Sequence, residues 1–175
     1  MQLTRLAIPD VWLVRPERRT DPRGFFARTF CAAEFAAHGL PTTFPQCNIS
    51  FNAERRTLRG LHWQDDPHPE GKLVRCTRGA IFDVAVDIRP ASPTHGRWVG
   101  ATLSADDADA LYIPPGFAHG FQTLQDASEV FYQMSESYVP NMARGLRWND
   151  PTLAIAWPLV DPILSERDAA LPLFA

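Results

Sequence analysis

Three side chains with complementary acid–base chemistry lie close together in the first half of the chain. Arg59, His62 and Lys72 supply a permanent cation, a titratable imidazole and an amine. An arginine can bind an anion, a histidine can transfer a proton near neutral pH, and a lysine can stabilise negative charge on a reacting oxygen. We therefore predict a site that holds an anionic ligand and moves a proton.

A histidine base needs a partner that fixes its tautomer, usually a carboxylate on the second ring nitrogen. Without such a partner, His62 would be an ordinary surface or core histidine. Asp83, Asp87 and Asp168 are the candidates for this partner. The sequence alone does not choose between them.

A second histidine, His119, lies in residues 114–121, which contain the pattern Pro-x-Gly-x-x-His. This pattern resembles the second motif of cupin barrels, which often delivers a metal-binding histidine. The place that matches the first cupin motif has only one imidazole, in His62-Trp63-Gln64. Two histidines without a clear third ligand fall short of a catalytic metal site. We therefore predict no metal, with His119 contacting the substrate; a metal-dependent cupin oxygenase or isomerase is the alternative.

Tyrosines are the candidates for a proton donor on the opposite side of a substrate from His62. Tyr132 lies in a predicted strand, where most tyrosines are ordinary packing aromatics, but a phenol can also protonate carbon. Tyr138 is a weaker candidate of the same kind. Arg23 and Arg59 could each pair with a phosphate.

The elements that position these residues are predicted to be mainly strands. Sixteen prolines and ten glycines are spread over the chain, which favours short strands between turns. The predicted strands include residues 8–14, 73–76, 80–88, 98–103, 121–124 and 129–135. Helices are predicted at 31–38 and, capped by Ser165, through residue 170. This pattern indicates a β-sandwich or jelly-roll barrel whose strands converge on one pocket.

Length and charge limit the class of protein. A chain of 175 residues suggests a single domain spanning 1–175. The net charge of −3 argues against broad affinity for nucleic acid or anionic membranes. Because there is neither a membrane-spanning apolar run nor a signal-peptide pattern, we predict a cytoplasmic protein. Three cysteines without CxxC spacing predict neither a disulfide framework nor a zinc site.

A series of short motifs extends over nearly the whole chain. They are Asp21-Pro22-Arg23-Gly24-Phe25-Phe26, Gln46-Cys47-Asn48-Ile49-Ser50, Leu58-Arg59-Gly60-Leu61-His62-Trp63-Gln64, Gly71-Lys72-Leu73-Val74, Asp83-Val84-Ala85-Val86-Asp87-Ile88-Arg89, residues 114–121, Trp148-Asn149-Asp150-Pro151 and Leu164-Ser165-Glu166-Arg167-Asp168. Any one is modest evidence. Together, and in this order, they resemble the dTDP-4-dehydrorhamnose 3,5-epimerase family.

The resemblance implies a cupin jelly roll, usually a homodimer, with no metal or organic cofactor. It implies a nucleotide-linked 4-keto-6-deoxyhexose as substrate, epimerised at C3 and/or C5 through an enolate. The matching residues are His62 for the base, Asp168 for its orienting carboxylate, Tyr132 for the proton donor and Lys72 for enolate stabilisation. The substrate contacts are Arg23 and Arg59 on the diphosphate and Phe26, Gln46, Asn48 and His119 on the nucleotide or sugar, to which we add Arg28 and Tyr138.

The chain departs from the family pattern at Arg28 and Ala143, where the family often has glutamate. Losing two acceptors and gaining a cation motivates the hypothesis of a CDP-linked sugar, because N3 of cytosine accepts a hydrogen bond whereas thymine N3–H donates one. The interpretation we favour is that Arg28 points to solvent or phosphate and thymine is still bound. A mono-epimerase is a further alternative. The complete catalytic set argues against a non-catalytic sugar-binding cupin.

Overall fold

Two antiparallel sheets form the walls of a barrel in the computed structural model, which describes residues 1–174. The six-stranded sheet has the order β1 (Gln2–Arg5), β2 (Trp12–Arg15), β10 (Ala110–Ile113), β7 (Lys72–Arg78), β12 (Ser128–Met134) and β5 (Gln46–Asn52). The five-stranded sheet has the order β13 (Ala143–Gly145), β6 (Leu58–Gln64), β11 (Phe117–Thr123), β8 (Ala80–Asp87) and β9 (Trp98–Ser104). The predicted fold class, mainly β with a jelly-roll barrel, is confirmed.

A hairpin and short helices complete the described chain. Strands β3 (Arg18–Asp21) and β4 (Gly24–Ala27) pair only with each other. Helices α1 (Ala32–Ala37) and α2 (Glu166–Ala169) lie where helices were predicted, and one turn of 3₁₀ helix covers Pro140–Met142. Ser165 caps α2 by accepting a hydrogen bond from the Asp168 N–H at 3.1 Å. No helix in residues 1–174 is long and apolar enough to cross a membrane.

Two strands begin four residues away from the predicted position, whereas the other predicted strands named above differ by at most two residues at either end. Strand β2 begins at Trp12 rather than at residue 8, because Pro9 and Asp10 form a turn. Strand β11 begins at Phe117 rather than Phe121, so His119 lies within a strand. The second difference matters for function, because it fixes His119 against neighbouring strands.

Strand β8 is buried on both faces. Its alternation is as predicted: Ile81 and Ala85 pack in the core between the sheets, and Val84 packs against the C-terminal part of the chain. Asp83 and Asp87, which share the inward parity of Ile81, are fully buried. A buried carboxylate needs hydrogen bonds or a counter-charge, so the partners of these two residues determine what each can do.

Asp87 has a structural set of partners and gives a stability prediction. Arg89 binds it through two nitrogens at 2.9 and 2.8 Å, and the Ser92 and Thr94 hydroxyls each donate at 2.6 Å. Burial alone would raise the pKa of Asp87, but these hydrogen bonds outweigh it and hold the pKa well below its ordinary value. This contribution to stability is present above the unfolded pKa of about 4 and is lost as pH falls further.

We expect Asp87→Asn to lower the free energy of unfolding at pH 7 by about 2–4 kcal/mol. The difference from wild type should shrink as pH falls below about 4. Chemical denaturation at a series of pH values measures this. A constant difference across that range would show that the charge of Asp87 is not what stabilises the fold.

Candidate active site

A cavity of about 350 Å³ is lined by both sheets and by α2. Most of the predicted site residues line it: His62, Lys72, Tyr132, Asp168, Gln46, Asn48, Arg59, His119 and Tyr138. These residues come from positions 46 to 168 of the chain. The barrel therefore brings distant segments to one place.

His62 forms a hydrogen-bonded pair with Asp168 in this cavity. The His62 Nε2 lies 2.7 Å from Asp168 Oδ1, and the Gly60 N–H donates to Asp168 Oδ2 at 3.3 Å. Burial alone would raise the pKa of Asp168, but the hydrogen bonds from His62 and Gly60 outweigh it, and the pKa lies below its ordinary value. Of the three candidate partners, the structure selects Asp168, which leaves His62 Nδ1 as the nitrogen available to a substrate.

Lys72 lies on the facing sheet, and its ammonium reaches across to the strand of His62. Its Nζ donates to the His62 backbone carbonyl at 3.1 Å and forms an ion pair with Glu70 Oε1 at 3.1 Å. Both side chains of this ion pair are almost fully buried. An ammonium nitrogen has three hydrogens, so one remains for a ligand.

Tyr132 also comes from the facing sheet, on β12. It pairs with Val74 of β7, whose side chain packs in the core between the sheets, and Tyr132 packs against the same cluster. Burial raises the pKa of Tyr132, although Arg59 and a hydrogen bond with Ser50 partly offset this. The phenol is therefore a neutral proton donor at physiological pH, on the opposite wall from His62.

His119 lies beside His62 because β6 and β11 approach very closely. The two histidines are directly opposite each other in the strand register, which shifts after His119. A Cβ atom on Gly60 would lie 2.6 Å from the Gly120 Cα and 2.8 Å from the His119 carbonyl oxygen, and Gly60 has a φ of +124°. Only glycine fits there. His119 Nε2 lies 2.7 Å from Asp83 Oδ1, so the second candidate carboxylate belongs to the second histidine.

Arg59 and three polar residues line the cavity near the edge strand β5. The Arg59 Nε donates to Asn52 Oδ1 at 2.8 Å, which orients the guanidinium. Gln46 donates to Asn48 Oδ1 at 3.3 Å and accepts from the Tyr138 N–H at 3.0 Å. These groups provide a cation and several hydrogen-bonding atoms for a polar anionic ligand.

Comparison with known proteins decides the family. The chain matches the family model described as dTDP-4-dehydrorhamnose 3,5-epimerase over residues 5–175. The dTDP-4-dehydrorhamnose 3,5-epimerase of Pseudomonas aeruginosa is 49% identical over 177 residues, which cover 100% of this chain and 97% of the relative. The chain belongs to the dTDP-4-dehydrorhamnose 3,5-epimerase family.

Solved structures similar to this chain include two from that family. The epimerase from Bacillus anthracis, with TDP and PPi bound, superposes with a TM-score of 0.96 at 42% identity and covers 99% of both chains. The epimerase from Legionella pneumophila, in complex with dTDP-4-keto-L-rhamnose, has a TM-score of 0.93 at 39% identity, covering 98% of this chain and 92% of that one. The family resemblance inferred from the motifs is confirmed.

Three of the residues assigned to substrate through the dTDP-4-dehydrorhamnose 3,5-epimerase family lie away from this cavity. Arg23 is at the hairpin turn and pairs with Asp21 at 2.7 Å. Phe26 and Arg28 line a separate pocket of about 100 Å³. The Arg28 Nη1 lies 3.7 Å from Glu34 Oε1, so its charge has a partner within the same protomer. In this chain alone, these three residues do not meet the catalytic candidates.

Sequence reasoning missed Glu70 as a member of the epimerase site. It lines the cavity and forms the ion pair with Lys72. Glu70 precedes Lys72 by two positions, a spacing that places two side chains on the same face when the backbone is extended. That spacing was the available signal. Because Glu70 precedes the strand, however, the sequence does not determine which face of the sheet its side chain occupies.

The arrangement of possible metal ligands bears on the alternative of a metal-dependent cupin oxygenase or isomerase. In residues 1–174, no group of three or more histidine, cysteine, aspartate or glutamate side chains is arranged to hold a metal ion. His62 and His119 are each bound to an aspartate through Nε2. The described residues therefore do not supply the ligand set that a metal-dependent cupin enzyme needs.

Proposed function

We propose that this protein is a 3,5-epimerase that converts a dTDP-linked 4-keto-6-deoxyglucose into the corresponding 4-ketorhamnose. The observation that carries the proposal is that an oriented imidazole and a neutral phenol lie on facing walls of one cavity, with an ammonium beside them. Inversion of a carbon next to a ketone needs such an arrangement, because a proton must leave one face and return on the other.

Proton removal is assigned to His62. The proton on a carbon next to the ketone is moderately acidic because the resulting charge moves onto the carbonyl oxygen. His62 accepts that proton at Nδ1, since Nε2 is bound to Asp168. The remaining N–H of Lys72 stabilises the enolate oxygen. Each such positioned group typically contributes about 10²–10⁴-fold to the rate.

Proton return is assigned to Tyr132. Its phenol donates a proton to the opposite face of the enolate carbon, which inverts that carbon. Both C3 and C5 flank the C4 ketone, so one site can act on each in turn if the sugar ring reorients. Arg59 would hold the diphosphate throughout and so restrict the substrate to productive positions.

The choice of thymine rests on the relatives and on Arg28. The Bacillus anthracis relative was solved with TDP and the Legionella pneumophila relative with a dTDP sugar. The partner of Arg28 in its own protomer, Glu34, supports the interpretation that this cation does not select a cytosine base. We therefore propose dTDP rather than CDP as the carrier.

The test is a deuterium-exchange assay in heavy water with dTDP- and CDP-linked 4-keto-6-deoxyglucose side by side. We expect deuterium at both C3 and C5 of a rhamno-configured product from the dTDP sugar, with much slower turnover of the CDP sugar. Label at only one carbon would indicate a mono-epimerase. No exchange with either sugar would refute the epimerase proposal.

We also propose that the active form is a homodimer. Large apolar side chains are exposed at the edge strand β5, where Ile49 is 63% exposed, and on the hairpin, where Phe26 is 69% exposed. Gln46 and Asn48 of β5 line the cavity, so a partner hairpin packed along this edge would lie beside the cavity mouth. Such packing would cover both apolar groups and bring Arg23 and Phe26 to the partner's substrate.

The dimer proposal predicts that Ile49→Glu produces a monomer and lowers kcat/KM by at least about tenfold. Burying an unpaired carboxylate against the apolar hairpin and losing the apolar contact of Ile49 both oppose association. Sedimentation velocity measures the mass, and Val160→Glu, at a 79% exposed position outside both segments, is the control. A wild-type protein that sediments as a monomer at assay concentration would contradict the proposal.

The cytoplasmic location and the absence of a cofactor stay predictions.

A further inference from the structure

Two histidine–aspartate pairs lie side by side, each with its histidine lining the cavity, and only one of them has a role in the mechanism above. His62 and His119 project from the same face of neighbouring strands, since they are directly opposite in the register. Each Nε2 lies 2.7 Å from a carboxylate oxygen, of Asp168 and Asp83 respectively. The two pairs have the same chemistry, so any difference between them comes from the surroundings of their carboxylates.

The carboxylate of Asp168 is stable as an anion. Both of its oxygens have donors, His62 Nε2 on one and the Gly60 N–H on the other, and it lies in the first turn of α2. Because this anion is satisfied, His62 needs only the single proton at Nε2. Its Nδ1 can stay unprotonated and accept a proton from substrate.

The carboxylate of Asp83 is in a poorer environment. Asp83 is fully buried, and its Oδ2 has no hydrogen-bond partner in the described structure. Its inward-facing neighbours on β8 are Ile81 and Ala85, both in the apolar core. Net negative charge is costly in such a place. Among the described residues, Asp83 forms an ion pair with His119 alone, and the nearby ammonium of Lys72 is paired with Glu70.

The Asp83–His119 pair is electrically neutral only when it holds two protons. These can be distributed as imidazolium with carboxylate, or as imidazole with carboxylic acid. In the first form both ring nitrogens carry hydrogen, and in the second the acid proton points at Nε2 and the ring proton is on Nδ1. In either form His119 Nδ1 carries a hydrogen. This nitrogen makes no hydrogen bond within residues 1–174 and belongs to a cavity-lining ring.

We propose that Asp83 keeps His119 as a hydrogen-bond donor, and that His119 Nδ1–H binds the carbonyl oxygen of the keto sugar as the enolate forms. The proposal rests on the epimerase function proposed above. Lys72 has one free N–H, and an enolate oxygen accepts more than one hydrogen bond. Lys72 and His119 would therefore act together as a two-donor oxyanion site. His119 is then a catalytic residue and Asp83 the residue that sets its protonation and orientation.

The direct test is nitrogen NMR of the ligand-free protein labelled with ¹⁵N-histidine, with the His119 signals assigned by their loss in His119→Gln. At pH 7.5 we expect the chemical shift of a protonated nitrogen at His119 Nδ1. An unprotonated shift at this nitrogen would overturn the proposal. Because the measurement needs no turnover, it stays decisive even if the epimerase function fails.

A pair of substitutions at His119 tests the role in turnover. In His119→Asn, the side-chain amide nitrogen takes the place of Nδ1 and can still donate a hydrogen bond into the cavity. In His119→Gln, the amide nitrogen takes the place of Nε2 and binds Asp83 instead. We expect His119→Gln to lose about 10²-fold in kcat, with KM changed less than about threefold, and His119→Asn to stay within about tenfold of wild type. Equal losses in both variants would contradict donation from Nδ1.

A substitution of Asp83 tests its positioning role. We expect Asp83→Leu to remove the protonated Nδ1 signal at pH 7.5 and to lower kcat about as much as His119→Gln. Asp87→Asn, at the other buried carboxylate of β8, should destabilise the fold yet leave the His119 signals and the kcat of the folded protein unchanged. Retention of the protonated Nδ1 signal in Asp83→Leu would show that Asp83 does not set it. If that variant does not fold, the wild-type spectrum and the His119 pair still decide.

Discussion

Replacing His62 with asparagine is expected to lower kcat about 10³-fold while KM changes only a few-fold. The general base contributes about 10²–10⁴-fold to such a proton transfer, and asparagine is a smaller polar side chain without a titratable nitrogen. The proposed diphosphate contact at Arg59 is separate from the imidazole, so substrate binding should survive. Turnover of dTDP-4-keto-6-deoxyglucose, followed by deuterium incorporation at C3 and C5, measures both quantities.

His95→Asn is the matched control for this experiment. His95 packs against Phe174 and does not line the cavity, so its loss should leave kcat unchanged. Circular dichroism and thermal melting establish that both variants are folded. If His62→Asn turned over at the wild-type rate, the base would have to be another residue, and His119 would be the first to examine.

Replacing Tyr132 with phenylalanine should separate proton removal from inversion. His62 can still remove the proton and return solvent deuterium to the same face, whereas the opposite face has lost its donor. We expect formation of inverted product to fall about 10²-fold, while deuterium exchange into recovered substrate falls much less. The ratio of exchange to inversion, read from one NMR time course, should therefore rise by at least about tenfold.

The pKa of Tyr132 adds a pH dependence to this prediction. Burial raises that pKa above the ordinary value of 10, so the phenol stays protonated and able to donate as pH rises to about 10. The ionisation of Tyr132 should cause no loss of wild-type activity below that pH. Tyr112→Phe is the control, because Tyr112 is a buried strand tyrosine outside the cavity lining. Unchanged inversion in Tyr132→Phe would shift the donor role to Tyr138.

The sequence was sufficient for the fold class and for nine of the twelve predicted site residues, which line the cavity. Period-two alternation and closely spaced turn residues indicate short strands, and strand patterns with ordered motifs identify a jelly roll. His62, Lys72 and Tyr132 were all expected to meet, and all three line the cavity. Local patterns therefore predicted the architecture, and the family resemblance of the ordered motifs predicted most of the site residues.

The pairing of carboxylates with histidines was beyond the sequence. Asp83, Asp87 and Asp168 were equivalent candidates for His62, and each proves to have a different partner. Which one meets His62 depends on where α2 docks and on the register between β8 and β11. Both are set by tertiary packing, and neither can be read from a local sequence pattern.

The connection between His62 and Asp168 affects how the enzyme acquires its activity. Asp168 follows every other cavity-lining residue along the chain, so the hydrogen-bond partner of the proposed base is the last to be synthesised. A chain that stops before α2 would contain all the strands of both sheets yet would hold an imidazole with no fixed tautomer. In the proposed mechanism, activity therefore depends on the docking of a single helical turn, and we expect labels or fusions placed near that turn to lower activity even where the barrel stays folded.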